Sequence, residues 1–329
     1  MRLASFVSLG VLSGVGVLAC SSGCGKTSSG DPLPTGTSSP PSTATASTVV
    51  SAAPSSSAPR SPGGDTNVAL SHARSATPTT KGLPMIAITT KELRFVGTTN
   101  EPIPMPPPVS WYAGMPLKTK QDKAGSMFLY PVAAWLKEAR KGDERDLSIV
   151  ADNAMSYRIV GEVLYTAAQS GYDRFHIVAL TPDDSYGEMI IEMPGHKADA
   201  GPPPPFATIF IAPEGVSIKT ELQNVGPGCS GFKPGLAFPR LNGQIDAIGI
   251  PSCIDRIAPE SGASVDIVVG APPEVPFGEV VAVIDGVRGH KGPTVVHFGL
   301  QKIPTTAPTI PGLAPLPPAI LKDLNDHKK

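Results

Sequence analysis

Residues 146–180, DLSIVADNAMSYRIVGEVLYTAAQSGYDRFHIVAL, align without a gap on residues 266–300, DIVVGAPPEVPFGEVVAVIDGVRGHKGPTVVHFGL, after a shift of 120 positions. Identical residues are few, but the apolar pattern is widely shared. The identities are Asp146/Asp266, Ala151/Ala271, Val160/Val280, Val163/Val283 and Leu180/Leu300. The repeat indicates that one structural unit is built twice.

Each copy has the pattern of a strand, a helix and a second strand. In the first copy, apolar residues alternate from Leu147, Ser156 is placed to cap a helix, and Gly171 is placed to end it. In the second copy, Pro276 suits the first turn of the helix. A strand–helix–strand unit of this length predicts a right-handed crossover between parallel strands.

A hairpin and another helix precede each copy. Hairpins are predicted at 85–96 and 206–218, a helix at 128–140, and an abbreviated helix at 245–257. Trp135 is expected in the core. Each half therefore reads β-β-α-β-α-β. We predict an α+β protein of two tandem two-layer domains, 83–198 and 199–303, each a small mixed sheet with two helices on one face.

Composition sets limits on partners. The chain has 329 residues, 17% of them charged, with a formal net charge of −1. Nucleic-acid binding depends on a basic footprint, so the sequence gives no reason to expect it. The 34 glycines and 38 prolines indicate long irregular segments beside the folded part.

The start of the chain has the features of an export signal. Arg2 precedes an apolar run that is too short to span a bilayer stably, so 1–19 is predicted to be a signal peptide. The run ends in Val-Leu-Ala-Cys, which resembles the bacterial lipobox and implies lipidation at Cys20. Ser21 and Ser22 stand where an inner-membrane retention aspartate would lie, which implies the outer membrane, facing the periplasm. The alternative is an ordinary cleaved signal beside a chance cysteine.

The segment after Cys20 is rich in Ser, Thr, Pro and Ala through residue 82. Such a composition buries too little apolar surface to offset the entropy of ordering, so 20–82 is predicted to be a disordered linker carrying the lipidated cysteine. A passive spacer is its simplest role. Residues 304–329 are predicted to be a proline-rich tail.

Two cysteines lie in the second half. An exported chain reaches an oxidising compartment, so we predict a disulfide between Cys229 and Cys253. Two unpaired cysteines are the alternative. A metal site is disfavoured because no histidine or further cysteine lies nearby at ligand spacing.

The repeated unit resembles the periplasmic domain of the ExbD/TolR family of biopolymer-transport proteins. The family pattern is an apolar strand, then aD, then v-p-y-g-x-v-v-x-v-x-d. Residues 150–152 and 155–163 resemble it in the first copy, and Val275-Pro276-Phe277-Gly278-Glu279-Val280-Val281-Ala282-Val283-Ile284-Asp285 does so more closely in the second. The likeness covers both predicted domains, about two-thirds of the chain.

The resemblance implies a periplasmic module that dimerises and contacts peptidoglycan or envelope partners. Family members also have an N-terminal membrane helix whose aspartate carries protons. This chain has a lipoprotein-like signal there and no residue that corresponds to that aspartate. A proton-driven motor role is therefore not carried over.

Residues with catalytic potential show no motif spacing. Six histidines are scattered: His72, His176, His196, His290, His297 and His327. His176 and His297 are expected on sheet faces, Asp152 at the turn before a helix, and Asp183-Asp184-Ser185 in a solvated turn. A cation there is the alternative. No nucleophile-elbow, zinc-protease or nucleotide-binding pattern occurs, so neither a cofactor nor a metal is expected.

These observations favour a non-catalytic lipoprotein. Its tandem domains would bind an envelope partner or peptidoglycan as a pseudo-dimer. The alternative is an accessory subunit of a proton-driven biopolymer transport complex. An enzyme on an α+β scaffold is a third hypothesis, for which the sequence supplies no constellation of catalytic residues.

Overall fold

The computed structural model describes residues 68–120, 126–193, 206–221, 223–233, 235–258 and 264–300. The predicted signal peptide, Cys20, most of the linker and the tail lie outside these residues. Within the described part, no helix is both long and apolar enough to cross a membrane.

The first half follows the predicted order of elements and adds three strands to it. Its elements are β1 (Thr77–Pro78), β2 (Met85–Ile88), β3 (Glu92–Phe95), β4 (Ile103–Pro104), α1 (Tyr130–Ala139), β5 (Asp146–Ala151), α2 (Tyr157–Gln169), β6 (Arg174–Leu180) and β7 (Tyr186–Glu192). As expected, the Ser156 side chain caps α2 by accepting a hydrogen bond from the Ile159 backbone N at 3.4 Å. Gly171 follows α2 with a φ of +93°, a conformation that favours glycine.

The second half repeats the same order. Its elements are β8 (Ala207–Ala212), β9 (Gly215–Thr220), β10 (Phe238–Pro239), α3 (Ile250–Ile257), β11 (Val265–Gly270), α4 (Phe277–Arg288) and β12 (Thr294–Gly299). The abbreviated helix predicted at 245–257 is therefore present as α3. Pro276 lies at the N-cap of α4, one position before its first turn.

All the described strands belong to one mixed sheet. Their order is β10-β9-β8-β11-β12-β7-β6-β5-β2-β3-β4, and β1 pairs with β7. The halves meet where β12 and β7 share a single parallel pair, His297 opposite Glu192. Because β7 is antiparallel to β6, strands β6 and β12 run in opposite directions. The α+β class is as predicted, but the sheets expected for the two halves are joined.

One continuous core lies between the helices and the sheet. All four helices contribute to it, as do alternate residues of the strands, for example Ile149 of β5 and Ile267 of β11. Trp135 is 5% exposed there and stacks on Phe95 with ring centroids 4.5 Å apart, as expected for a core residue. The contact between α2 and α4 places the helices of both halves on the same face.

The opposite face of the sheet, called here the back face, differs between the halves. In the first half it is buried, and Ala87, Val150 and Val178 form a second cluster. In the second half the strands alternate between buried and half-buried residues, and Phe210 and Val268 belong to the half-buried set. The single sheet therefore has both faces covered in the first half and one face covered in the second.

Two features of the first half depart from the predictions. Residues 68–82, assigned to the disordered linker, belong to the fold, and Ala73 is buried in the main core. Strand β7 was not predicted. Both segments gain their structure through pairing: β7 lies against β6 along its whole length, and β1 pairs with β7.

Candidate functional site

The seam between the halves is formed by the N-terminal ends of α2 and α4. The Tyr157 backbone N donates to Val275 O at 2.8 Å, and the Phe277 backbone N donates to Met155 O at 2.6 Å. Tyr157 and Phe277 are 120 positions apart, and so are Met155 and Val275, so the second hydrogen bond is the first with the two halves exchanged. Ser156 and Pro276, also 120 apart, form an antiparallel bridge between these pairs. Each half thus makes the same contact to the other.

Tyr157 extends this seam into the second half. Its ring stacks on Phe298 with centroids 4.5 Å apart, and its hydroxyl donates to the carbonyl of Gly299. Burial raises the pKa of this hydroxyl, so it remains a neutral donor. The equivalent residue in the second half is Phe277, which is 1% exposed and has no hydroxyl. The seam is apolar and hydrogen-bonded, which suits permanent association.

Residues 68–80, called here the strap, bind to both sides of the seam. On the first half, the Ala69 backbone N donates to Asp152 Oδ2 at 3.2 Å, and Ala73 N donates to Leu180 O at 2.7 Å. On the second half, the Ser75 backbone N donates to Asp285 Oδ1 at 2.6 Å. The strap therefore connects the two halves through backbone hydrogen bonds.

A histidine between two carboxylates lies on the back face of the first half. His176 Nδ1 is 2.8 Å from Glu188 Oε1, and its Nε2 is 2.9 Å from Asp146 Oδ1. Thr80, at the end of the strap, donates its backbone N–H and its hydroxyl to Glu188 at 2.9 and 2.6 Å. These polar groups satisfy one another within the sheet, as expected for a sheet-face histidine.

Both carboxylates of this cluster are stabilised in the charged form. The hydrogen bonds from Arg174 lower the pKa of Asp146. Burial opposes ionisation of Glu188, but the hydrogen bonds from Thr80 and His176 outweigh it and hold the pKa below its usual value. The cluster therefore links the strap to the sheet most strongly when both carboxylates are charged.

The second half contains a weaker version of the same pair. His297 lies on β12 opposite Val268, just as His176 lies opposite Ser148, and its Nε2 is 4.0 Å from Asp266 Oδ1. The Asp266 side chain is 42% exposed. The repeat thus places an aspartate and a histidine together twice, and only the first pair is completed by Glu188 and the strap.

A second buried ionic cluster lies on α2. Glu162 Oε1 accepts hydrogen bonds from Lys120 Nζ and Arg158 Nε, both at 2.7 Å, and Oε2 accepts from the Met115 backbone N at 2.8 Å. The three charged side chains are at most 3% exposed. Burial raises the pKa of Glu162 and lowers that of Lys120, while their mutual attraction opposes both shifts. The cluster fixes the 97–120 segment to α2.

The remaining candidate residues occupy structural positions. Asp152 Oδ1 accepts a hydrogen bond from Ala154 N at 2.9 Å, which closes the turn before α2 as predicted. Asp183 accepts hydrogen bonds from the hydroxyls of Thr181 and Ser185 in an exposed turn. His72 is 2.8 Å from Asp184, and His290 contacts Asp255. His196 and His327 lie outside the described residues.

Cys229 and Cys253 lie at disulfide-bonding distance, with Cα atoms 5.5 Å apart. The pair joins a loop after β9 to α3, and both cysteines are buried. No group of three or more His, Cys, Asp or Glu residues suited to a metal ion occurs among the described ranges.

An open cavity of about 540 Å³ lies between the start of β2 and the C-terminal end of α1. Its lining includes Trp135, Lys141 and Glu144.

The sequence predicted the core position of Trp135 but not the strap, Glu188 or the Lys120–Glu162–Arg158 cluster. The sequence did contain a signal for the ionic cluster, because isolated charged residues interrupt the otherwise apolar helix α2.

Comparison with known proteins found no matching family model, no similar curated protein and no similar solved structure. The seam, the strap and the two ionic clusters are therefore interpreted from their geometry.

Proposed function

We propose that this chain is a non-catalytic outer-membrane lipoprotein, facing the periplasm, whose two ExbD/TolR-like domains form a covalently linked pseudo-dimer. In this proposal the pseudo-dimer binds an envelope partner or peptidoglycan. The observation that carries it is the reciprocal pair of hydrogen bonds at the seam, Tyr157 N to Val275 O and Phe277 N to Met155 O. A contact that is identical on exchange of the partners is the mark of a twofold, isologous interface.

The order of the strands gives further support. Moving outward from β7, strands β6, β5, β2 and β3 on one side correspond to β12, β11, β8 and β9 on the other. Strands β6 and β12 run in opposite directions, as a pseudo-twofold axis perpendicular to the sheet requires. A single chain would in this way contain the dimer that related modules form from two chains.

A binding role agrees with the state of the ionisable groups. The groups with displaced pKa values, such as Glu162 and Glu188, are hydrogen-bonded within the fold and mostly buried. Catalytic acids and bases have to reach a substrate. We therefore assign these groups to stability and leave binding to the exposed surfaces.

Sedimentation equilibrium tests the pseudo-dimer. Because the twofold contact is used within the chain, the purified mature protein should be a monomer at concentrations up to about 100 μM, well above the range of stable dimers. A self-associating protein with a dissociation constant in the micromolar range would contradict the proposal.

Co-pelleting with purified peptidoglycan at low salt tests binding. Peptidoglycan carries carboxylates, so the exposed Lys219 on the half-buried back face is a candidate contact. We expect the protein to pellet, Lys219→Glu to reduce the pelleted fraction, and the control Lys137→Glu on α1 to leave it unchanged. Absence of pelleting would leave an envelope protein as the partner. Recovery of a polytopic inner-membrane partner by crosslinking would instead favour the transport-accessory alternative.

A further inference from the structure

Residues 101–108, EPIPMPPP, follow the edge of the sheet beside β3. Proline fixes its own φ near −65° and moves the preceding residue into an extended conformation. With prolines at 102, 104, 106, 107 and 108, every residue from 101 to 107 is restricted in one of these ways. Pro107 has φ −55° and ψ 145°, which are polyproline II values.

Burial from residue 101 to residue 107 repeats every three residues. Glu101, Pro104 and Pro107 are exposed, and the two residues after each of the first two are half-buried. A polyproline II helix has three residues per turn, so this pattern matches the one expected of such a helix with one edge outward. We call the outward edge, Glu101, Pro104 and Pro107, the proline ridge.

The inward side of the segment is held at several points. The Met105 backbone N donates to Lys91 O at 2.8 Å, and Trp111 Nε1 donates to Pro106 O at 2.9 Å. Ile103, opposite Leu93 of β3, packs against the core together with Met105 and Trp111. The ridge is therefore held in a fixed conformation. The entropy cost of ordering it is offset when the protein folds, before any partner binds.

Protection of the sheet edge explains only some of these prolines. Proline on an edge strand prevents further pairing, and the other outer edge achieves this with the two-residue β10, which contains one proline. The β3 edge carries five prolines over seven residues, and the chain continues past β4 to Pro107, whose φ and ψ are polyproline II values. The additional length provides two exposed prolines three residues apart.

We propose that the proline ridge is a docking site for a protein whose groove is lined by aromatic side chains. Such grooves accept prolines at positions i and i+3 of a preformed polyproline II helix, which is the spacing of Pro104 and Pro107. One turn before Pro104, at roughly 9 Å, the exposed Glu101 calls for a basic group at the corresponding end of the groove. This proposal is independent of peptidoglycan binding and of the pseudo-dimer.

Site-specific photocrosslinking in cells that produce the full chain tests the proposal. A photoreactive residue is placed singly at 104 and 107, and at the control position Leu241, which is 59% exposed in the second half. We expect one partner to be captured at 104 and 107 and not at 241, with the adducts mapping to peptides that contain Trp, Tyr or Phe. No capture from the ridge, equal capture from Leu241, or adducts on peptides without aromatic residues would each overturn it.

Affinity for the captured, purified partner provides the quantitative test. The double variant Pro104→Ala/Pro107→Ala should bind at least tenfold more weakly, whereas Pro239→Ala on the opposite edge should bind as the wild type does. Glu101→Lys, at an exposed position, should also weaken binding and serves if the double variant does not fold. Wild-type affinity in Glu101→Lys and in a folded double variant would refute docking at the ridge.

Discussion

The two halves share one pattern of elements but differ in what covers their sheets. The first half is buried on both faces, since Val68 and Leu70 of the strap pack against the back-face cluster. The second half has no such cover among the described residues, and its back face remains half-buried. The repeated unit thus supplies the helices that cover one face of the sheet in both halves. Segments outside the repeat decide whether the back face is covered.

The helices at the seam differ in the same way. Arg158 and Glu162 of α2 form a buried ionic cluster with Lys120, whereas the positions 120 residues later in α4 are Gly278 and Ala282. The second half instead contains the Cys229–Cys253 pair. One half contains a buried ionic cluster and the other a cysteine pair at disulfide-bonding distance, so we expect the two to respond to different perturbations.

The largest expected effect is on the ionic cluster of the first half. Glu162→Ala leaves Lys120 and Arg158 buried without their shared carboxylate, which should lower the free energy of unfolding by about 3–5 kcal/mol. The control Glu279→Ala breaks a partly exposed pair with Arg240 and should cost at most about 1 kcal/mol. Urea unfolding measures the free energy of unfolding of both variants. Equal losses in the two would contradict the larger contribution of the ionic cluster in the first half.

Reduction should affect the second half. Replacing both Cys229 and Cys253 with serine opens a loop with a sequence separation of 24 and should cost about 3 kcal/mol. Reductant should lower the unfolding midpoint of the wild type and leave the double variant unchanged. Identical midpoints for the oxidised wild type and the variant would contradict a stabilising role.

Two matched valines test the difference in cover. Val150→Ala removes methyl groups from a fully buried site on the back face and should cost about 2 kcal/mol. Val268→Ala on the back face of the second half, where the residue is half-buried, should cost less than about 1 kcal/mol. If Val268→Ala proved equally costly, a segment outside the described residues would have to cover that face.

The smallest effect concerns pH. Asp146 and Glu188 have folded-state pKa values below their usual ones, so the stability that they contribute is present above about pH 4 and is lost as the pH falls through the folded values. Asp146→Asn/Glu188→Gln should flatten the acid limb of the stability curve. Asp266→Asn, whose carboxylate is exposed and 4.0 Å from His297, is the control. Parallel acid limbs in all three proteins would contradict this assignment.

Much of the fold is contained in local sequence patterns. Alternation predicted β5 and β6, helical spacing predicted α1 and α2, and Ser156 marked the start of α2. The strap was missed because its Ser, Thr and Pro residues resemble those of a linker and become ordered only through distant partners such as Asp285. The Glu162 cluster was missed for a related reason: Lys120 is 42 residues before Glu162 in the sequence and approaches it only in the folded chain.

The strap also implies an order of folding. Its partners are distant along the chain: Asp152 is 83 residues beyond Ala69, and Asp285 is 210 residues beyond Ser75. The segment is synthesised before its partners, and its complete binding surface exists only when both halves have folded. Closing loops of this length is slow compared with forming hairpins and helices. We therefore expect docking of residues 68–80 to be the final step, which locks two halves that have already folded.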